Sequence, residues 1–215
     1  MTTGRGAFIA LEGGEGAGKS TQARLLAEAL RARGLTVVIT REPGGTPGAE
    51  AIRDLLLSPP GAGWTAEAEA LLFAAARSDH VANLIVPALA RGEWVLCDRF
   101  VDSSRAYQGG AGGLGDDAIL SLHNFGSGGL RPDLVILLEG DEAAIAARLA
   151  ARDGDTSDAI GSRPADYHRA VASAFRALAE RDPDGFARID AIGDPLAVHH
   201  RVLAAVAPLI ESPRA

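Results

Sequence analysis

A chain of 215 residues that is 47% hydrophobic and 23% charged suits one domain with a full core, not two large ones. Its formal net charge of -7 at pH 7 argues against a broad nucleic-acid surface but leaves room for a local basic pocket. No apolar run reaches the roughly 18–20 residues of a membrane span, and the N-terminus lacks a signal-peptide core. The single cysteine, Cys97, permits no internal disulfide. A cytoplasmic protein that binds neither membrane nor nucleic acid is therefore expected.

The first element is the apolar run Ala7–Leu11, which reads as a buried strand. A helix follows from Lys19 to Arg33, with Ala23, Leu26, Ala29 and Leu30 at helical spacing and Gly34 as its stop. Thr36–Thr40 ("TVVIT") is a second strand by its β-branched content. Strand, crossover helix and strand open an α/β fold. After the turn-rich "REPGGTPGAE", a short helix is expected over 49–57, then a long one over 65–89 with Leu71, Leu72, Ala75, Val81, Leu84 and Ile85 on its apolar face. Glu93–Asp98 is a strand that ends on an aspartate. The glycine-rich Gly109–Gly115 reads as a loop. Leu134–Leu138 is the next strand, Ala143–Arg152 a helix, and 153–163 an exposed segment. A helix opening at Pro164, the strand "FARIDA" and a helix from Pro195 complete five strands alternating with helices.

"GGEGAGKS" fits the phosphate-loop pattern G-x-x-x-x-G-K-[ST], placed between a strand and a helix as the pattern requires. Gly13, Gly14, Glu15, Gly16, Ala17 and Gly18 let the backbone wrap phosphates, and the helix opening at Lys19 adds its positive end. Lys19 reaches the β- and γ-phosphates of a nucleotide, Ser20 is a Mg²⁺ ligand, and Thr21 follows in the same turn. Asp98 lies at the carboxyl edge of the sheet, where it could hold Mg²⁺ or orient an acceptor. Glu12 points to the same place and needs a compensating partner if buried. Glu15 asks for a neighbouring cation. Arg41, Arg53, Arg77 and Arg99 lie beside segments leading from that edge, which suggests a second, specific anion site. The five histidines are too scattered for a metal centre.

Four blocks, "FIALEGGEGAGKST", "TREPGGTPGAEAIR", "DRFVDSSRAYQG" and "GGLRPDLVILLEG", resemble the thymidylate kinase family in order and over nearly the whole chain. The resemblance implies a P-loop nucleoside monophosphate kinase fold, α/β, with a five-stranded parallel sheet flanked by helices. It implies a single domain over 1–215 with a short lid at about 151–163. The implied reaction is ATP-dependent phosphorylation of dTMP to dTDP with Mg²⁺, in a homodimer formed through the helices following Thr65 and Leu114.

The same resemblance distributes roles. Phe73 stacks on thymine and Arg77 bonds the pyrimidine edge; their i,i+4 spacing places them on one helix face. Arg99 and Arg53 hold the dTMP phosphate, Glu42 and Pro43 shape the adjacent loop, and Ser104, Tyr107 and Gln108 line the sugar and base. Asp98 and Glu12 lie near the acceptor and the metal. The loop lacks an arginine, as in the bacterial form of the family, so the lid must supply one. The usual lid position holds Ala159 after Asp158, which leaves Arg148 and Arg152 as the favoured catalytic cations and Arg163 as a further candidate. Two other readings compete: a kinase of another pyrimidine nucleotide, and a nucleotide-binding regulatory protein derived from the kinase.

Overall fold

The computed structural model describes residues 5–140 and 159–211. The central strand β1 (Phe8–Glu12) is buried along its whole length, because both of its faces are covered. It pairs in parallel with β3 (Trp94–Asp98) on one side and β4 (Leu134–Glu139) on the other. The edges are β2 (Val37–Arg41) and β5 (Phe186–Asp190), giving the order β2-β3-β1-β4-β5 with every neighbouring pair parallel.

Alternation along the strands divides the core. Ile9 and Leu11 of β1 pack with Leu26 and Leu30 of α1 (Lys19–Arg31) and with Val198 and Val202 of α8 (Pro195–Glu211). On the opposite face Phe8 and Ala10 pack with Ile85, Leu89, Cys97 and Phe100. Farther along that face Val135 and Leu137 meet Phe175 and Leu178 of α7 (Ala165–Arg181).

Between β2 and β3 lie α2 (Pro47–Leu57), α3 (Ala66–His80) and α4 (Val86–Ala90). The hydroxyls of Thr46 and Thr65 cap α2 and α3 by accepting from Ala49 N and Ala68 N. A π-helical stretch, Val81–Ile85, joins α3 to α4 without leaving helical backbone. Pro87 cannot donate to the ladder, and the turn widens just before it. The long helix expected over 65–89 is therefore present, with Val81 and Ile85 buried and Leu84 packed against them as expected, but its first half buries a different face. Ala70, Ala76, Arg77 and His80 point inward, whereas Leu71 is 55% exposed and Ala75 faces outward with it.

Between β3 and β4, α5 (Val101–Ser104) runs into a π-helical turn, Arg105–Ala111, followed by α6 (Asp116–Ser127). Helix thus extends through Gly109 and Gly110, where the sequence suggested a loop. The glycines serve close approach here: a Cβ on Gly110 would lie 2.8 Å from the Cβ of Ala174 on α7. Only Gly112–Gly115 form the turn. The helix expected at Ala143–Arg152 and the lid as far as Asp158, including Arg148 and Arg152, lie outside the described residues.

Candidate active site

The phosphate loop turns at the carboxyl end of β1. Gly13 has φ 137°, and a Cβ there would come within 2.5 Å of the Leu138 carbonyl, so only glycine fits against β4. Gly18, in the left-handed region, opens α1. Lys19 Nζ folds back to donate to Gly14 O at 2.8 Å and Gly13 O at 3.2 Å. Burial, and then the nearby Arg99 charge, bring this amine down to about 8. It is the only lysine in the chain. Ser20 Oγ donates to Asp98 Oδ2 at 2.5 Å. That hydroxyl–carboxylate pair fits a hard cation that takes its remaining ligands from phosphate and water. Among the described residues no group of three or more His, Cys, Asp or Glu forms a self-sufficient metal cage.

Arg99 follows β3 in a left-handed backbone conformation, φ 70°, with its N–H on Leu11 O at 2.9 Å. Its Nη1 donates to Gly13 O and Ser103 Oγ, both at 3.1 Å, and its Nη2 donates to Glu15 Oε1. The cation that Glu15 requires is thus Arg99. The guanidinium also lies 5.2 Å from the Tyr107 ring centroid.

Glu12 is fully buried and does not line the cavity. Its carboxylate accepts from Phe100 N at 2.8 Å, Ser103 N at 3.1 Å and Ser103 Oγ at 2.6 Å. Backbone amides and a hydroxyl, not a metal or substrate group, compensate this carboxylate. Burial still dominates and lifts the group to about 7, with the Asp102 charge adding to the rise.

On the other side of the cavity, Arg77 Nε donates to Glu42 Oε2 at 2.7 Å, and its Nη2 donates to Ser104 Oγ at 2.9 Å and Phe100 O at 3.3 Å. The second oxygen of Glu42 accepts from His80 Nδ1 at 3.0 Å, and His80 Nε2 meets Thr40 Oγ1 at 2.7 Å. A carboxylate only accepts, so Nδ1 carries the proton that it donates to Glu42. Arg53 Nη1 donates to Pro43 O at 2.7 Å.

One cavity of about 510 Å³ joins the two sides. The loop contributes Glu15, Gly16, Gly18, Lys19, Ser20 and Thr21, and Asp98 lies between the halves. Every residue expected for the acceptor, from Glu42 to Gln108, lines the same space. Gly13, Gly14 and Ala17 shape the loop from behind. Arg41 and Ile160 line the cavity as well.

Arg163 is engaged elsewhere, with Nη1 on Tyr167 Oη, Nη2 on Glu69 Oε2 and its guanidinium 4.7 Å from the Tyr167 ring centroid. Sequence reasoning missed His80, Glu69 and Ser103. The first two carried a signal, since residues 69, 73, 77 and 80 follow i,i+4 and i,i+3 steps along one face of α3. Ser103 carried none; its role depends on how the turn after β3 meets Glu12.

A thymidylate kinase family model matches residues 11–202. The chain belongs to the thymidylate kinase family. It is 55% identical to thymidylate kinase of Rhizorhabdus wittichii over 95% of its own length and 99% of that protein's. It is 52% identical to thymidylate kinase of Gluconobacter oxydans, over 94% and 95% of the two chains. The crystal structure of thymidylate kinase from Ehrlichia chaffeensis superposes with a TM-score of 0.76 at 31% identity, covering 94% of this chain and 99% of that one. The sheet order and flanking helices are those of the P-loop kinase fold of this family.

Proposed function

We infer that the protein transfers the γ-phosphoryl group of ATP to dTMP, forming dTDP and ADP on the route to dTTP. It is a nucleoside monophosphate kinase. The observation that carries this reading is the single cavity lined by the Lys19 loop at one end and by Phe73, Arg77 and Gln108 at the other.

The acceptor is already an anionic phosphate oxygen, so no general base is required, and catalysis consists of alignment and charge stabilisation. Lys19 and the loop N–H groups hold the donor phosphates. Arg99, leaving Glu15, bridges the two polyanions. Arg53 sits on the acceptor-phosphate side, and Glu42 with Pro43 frames it. Phe73 stacks on the base, Arg77 donates to its edge, Ser104 and Gln108 complete the base pocket, and Tyr107 crowds the 2' position of the sugar. Ser20 and Asp98 would hold Mg²⁺, which would neutralise charge on the donor oxygens. Glu12 acts through Phe100 and Ser103, holding the turn that carries Arg99. Arg152, in a lid at about 151–163, and Arg148, ahead of that lid, supply the cation that the loop lacks, within a single domain.

The working form is a cytoplasmic homodimer. Exposed apolar residues on two adjacent helices support this: Leu71 on α3 and Phe125, 95% exposed, on α6. The two helices are tied by the Ser78 hydroxyl donating to Gly126 O.

The test is phosphoryl transfer from ATP to dTMP, dUMP, UMP, CMP and AMP in parallel. The expected result is the highest kcat/KM with dTMP. A better acceptor among the others overturns the assignment.

A further inference from the structure

We propose that Glu69 is a specificity-positioning residue that locks the Gln108 side-chain amide with its oxygen free to accept from the N3–H of the acceptor base. The inference rests on the reading of this cavity as a dTMP site. It adds a residue outside the substrate's reach that decides which way Gln108 presents its polar atoms.

The geometry is specific. Gln108 is 2% exposed and lines the cavity. Its Nε2 donates to Glu69 Oε1 at 2.8 Å, whereas its Oε1 is buried with no hydrogen-bond partner among the described residues. A buried acceptor left unpaired in this way is uncommon and calls for a missing donor. Glu69 itself is a largely buried carboxylate on α3, held from its other oxygen by the Arg163 guanidinium. A carboxylate accepts and does not donate, so only the amide nitrogen of Gln108 can face it. Turning the amide over would set oxygen against oxygen in a buried place.

The consequence is a fixed pattern on the pocket wall. Arg77 offers donors, and Gln108 offers an acceptor. Thymine carries the O4 acceptor beside the N3–H donor, which matches that order. Cytosine presents an amino donor at position 4 and a lone pair at N3, which opposes it at both places. Were the Gln108 amide free to turn, its NH₂ would satisfy the cytosine N3 and half of the discrimination would vanish. The four-residue step from Glu69 to Phe73, and again to Arg77, places the lock, the stacking ring and the donor on one helical face.

The experiment is Glu69→Gln, which keeps shape; its oxygen stays on the Arg163 guanidinium, so its NH₂ faces Gln108 and favours the reversed amide. The dTMP/dCMP ratio of kcat/KM is measured for wild type, Glu69→Gln, Gln108→Leu and the double variant, with thermal unfolding as the fold control. The expected result is a fall of about tenfold or more in the ratio for Glu69→Gln. It appears as a raised KM for dTMP with the KM for ATP unchanged, and Glu69→Gln has no further effect on the ratio once Gln108 is Leu. Glu69→Asp, whose shorter carboxylate does not reach Nε2, lowers the ratio in the same direction and serves if the first variant folds poorly. An unchanged ratio in a folded Glu69 variant, or an equal effect in the Gln108→Leu background, overturns the inference while leaving the dTMP reading intact. A wild-type protein that accepts dCMP as well as dTMP overturns that reading and the inference with it.

Discussion

Arg99 and Glu15 form an ion pair with the guanidinium Nη2 2.5 Å from the carboxylate Oε1, so the phosphate loop and the segment after β3 already touch through opposite charges. The pair holds a cation where two polyanions are to meet. In the proposed reaction, substrate phosphates replace the carboxylate as partner of that cation. Arg99→Gln is accordingly expected to lower kcat by about 10³-fold or more, in the range seen for arginines that stabilise phosphoryl transfer. A coupled ADP-release assay with saturating ATP and dTMP reads this. A loss below tenfold would sink the role.

Lys19 is the chain's only ε-amine, and it titrates near 8 where ordinary lysines titrate near 10.5. As pH rises through about 8 the amine loses its charge, so ATP binding is expected to weaken between pH 7 and 9, beyond the change shown by Lys19→Met. Isothermal titration at the two pH values checks the direction.

Glu12 titrates near 7 instead of 4.5 because it is buried. Below pH 4.5 the carboxyl is neutral in folded and unfolded chains alike. As pH rises the unfolded chain ionises first, so stability is lost through pH 4.5–7 and stays lower above. Glu12→Gln removes this loss. Urea unfolding is expected to show the variant gaining up to about 3 kcal/mol on wild type at pH 8 relative to pH 4.5. An equal difference at both pH values would contradict it.

His80 lies behind the base pocket, between Thr40 and Glu42, with no exposed surface. His80→Leu leaves the Thr40 hydroxyl unpaired and Glu42 Oε1 without its donor, at a cost of about 1–3 kcal/mol for each buried polar atom. It also releases Glu42 from one side, so Arg77 is less firmly aimed. The KM for dTMP is expected to rise more than that for ATP, alongside a lower unfolding temperature.

Phe125 is almost wholly exposed on α6. Phe125→Asp is expected to shift the protein from dimer to monomer in sedimentation at micromolar concentration. A wild-type monomer under the same conditions would remove the homodimer.

The sheet and the donor loop were legible because each is written in local pattern: short apolar runs for strands, and glycines followed by Lys19 and Ser20. The residues expected at the acceptor were readable only as a set of blocks in order, since they come from α2, α3 and the turn after β3, which line one cavity. What local pattern did not disclose were the partners of the buried charges. Glu12 finds amides 88 and 91 residues away, and Arg77 finds Glu42 35 residues away. Gly109 and Gly110 misled for the converse reason. Glycine marks freedom in a turn and closeness in a packed helix with the same letter, and only the neighbour, here Ala174, tells them apart.

Arg99 adopts a left-handed backbone that costs a non-glycine residue roughly 1–2 kcal/mol. Arg99→Gly would relieve that strain but leave Glu15, Gly13 O, Ser103 Oγ and the Tyr107 ring without their cation. The strained backbone is held in place by the charge it presents. A library of variants sorted for heat resistance alone would therefore keep arginine at position 99 with no screen for activity applied.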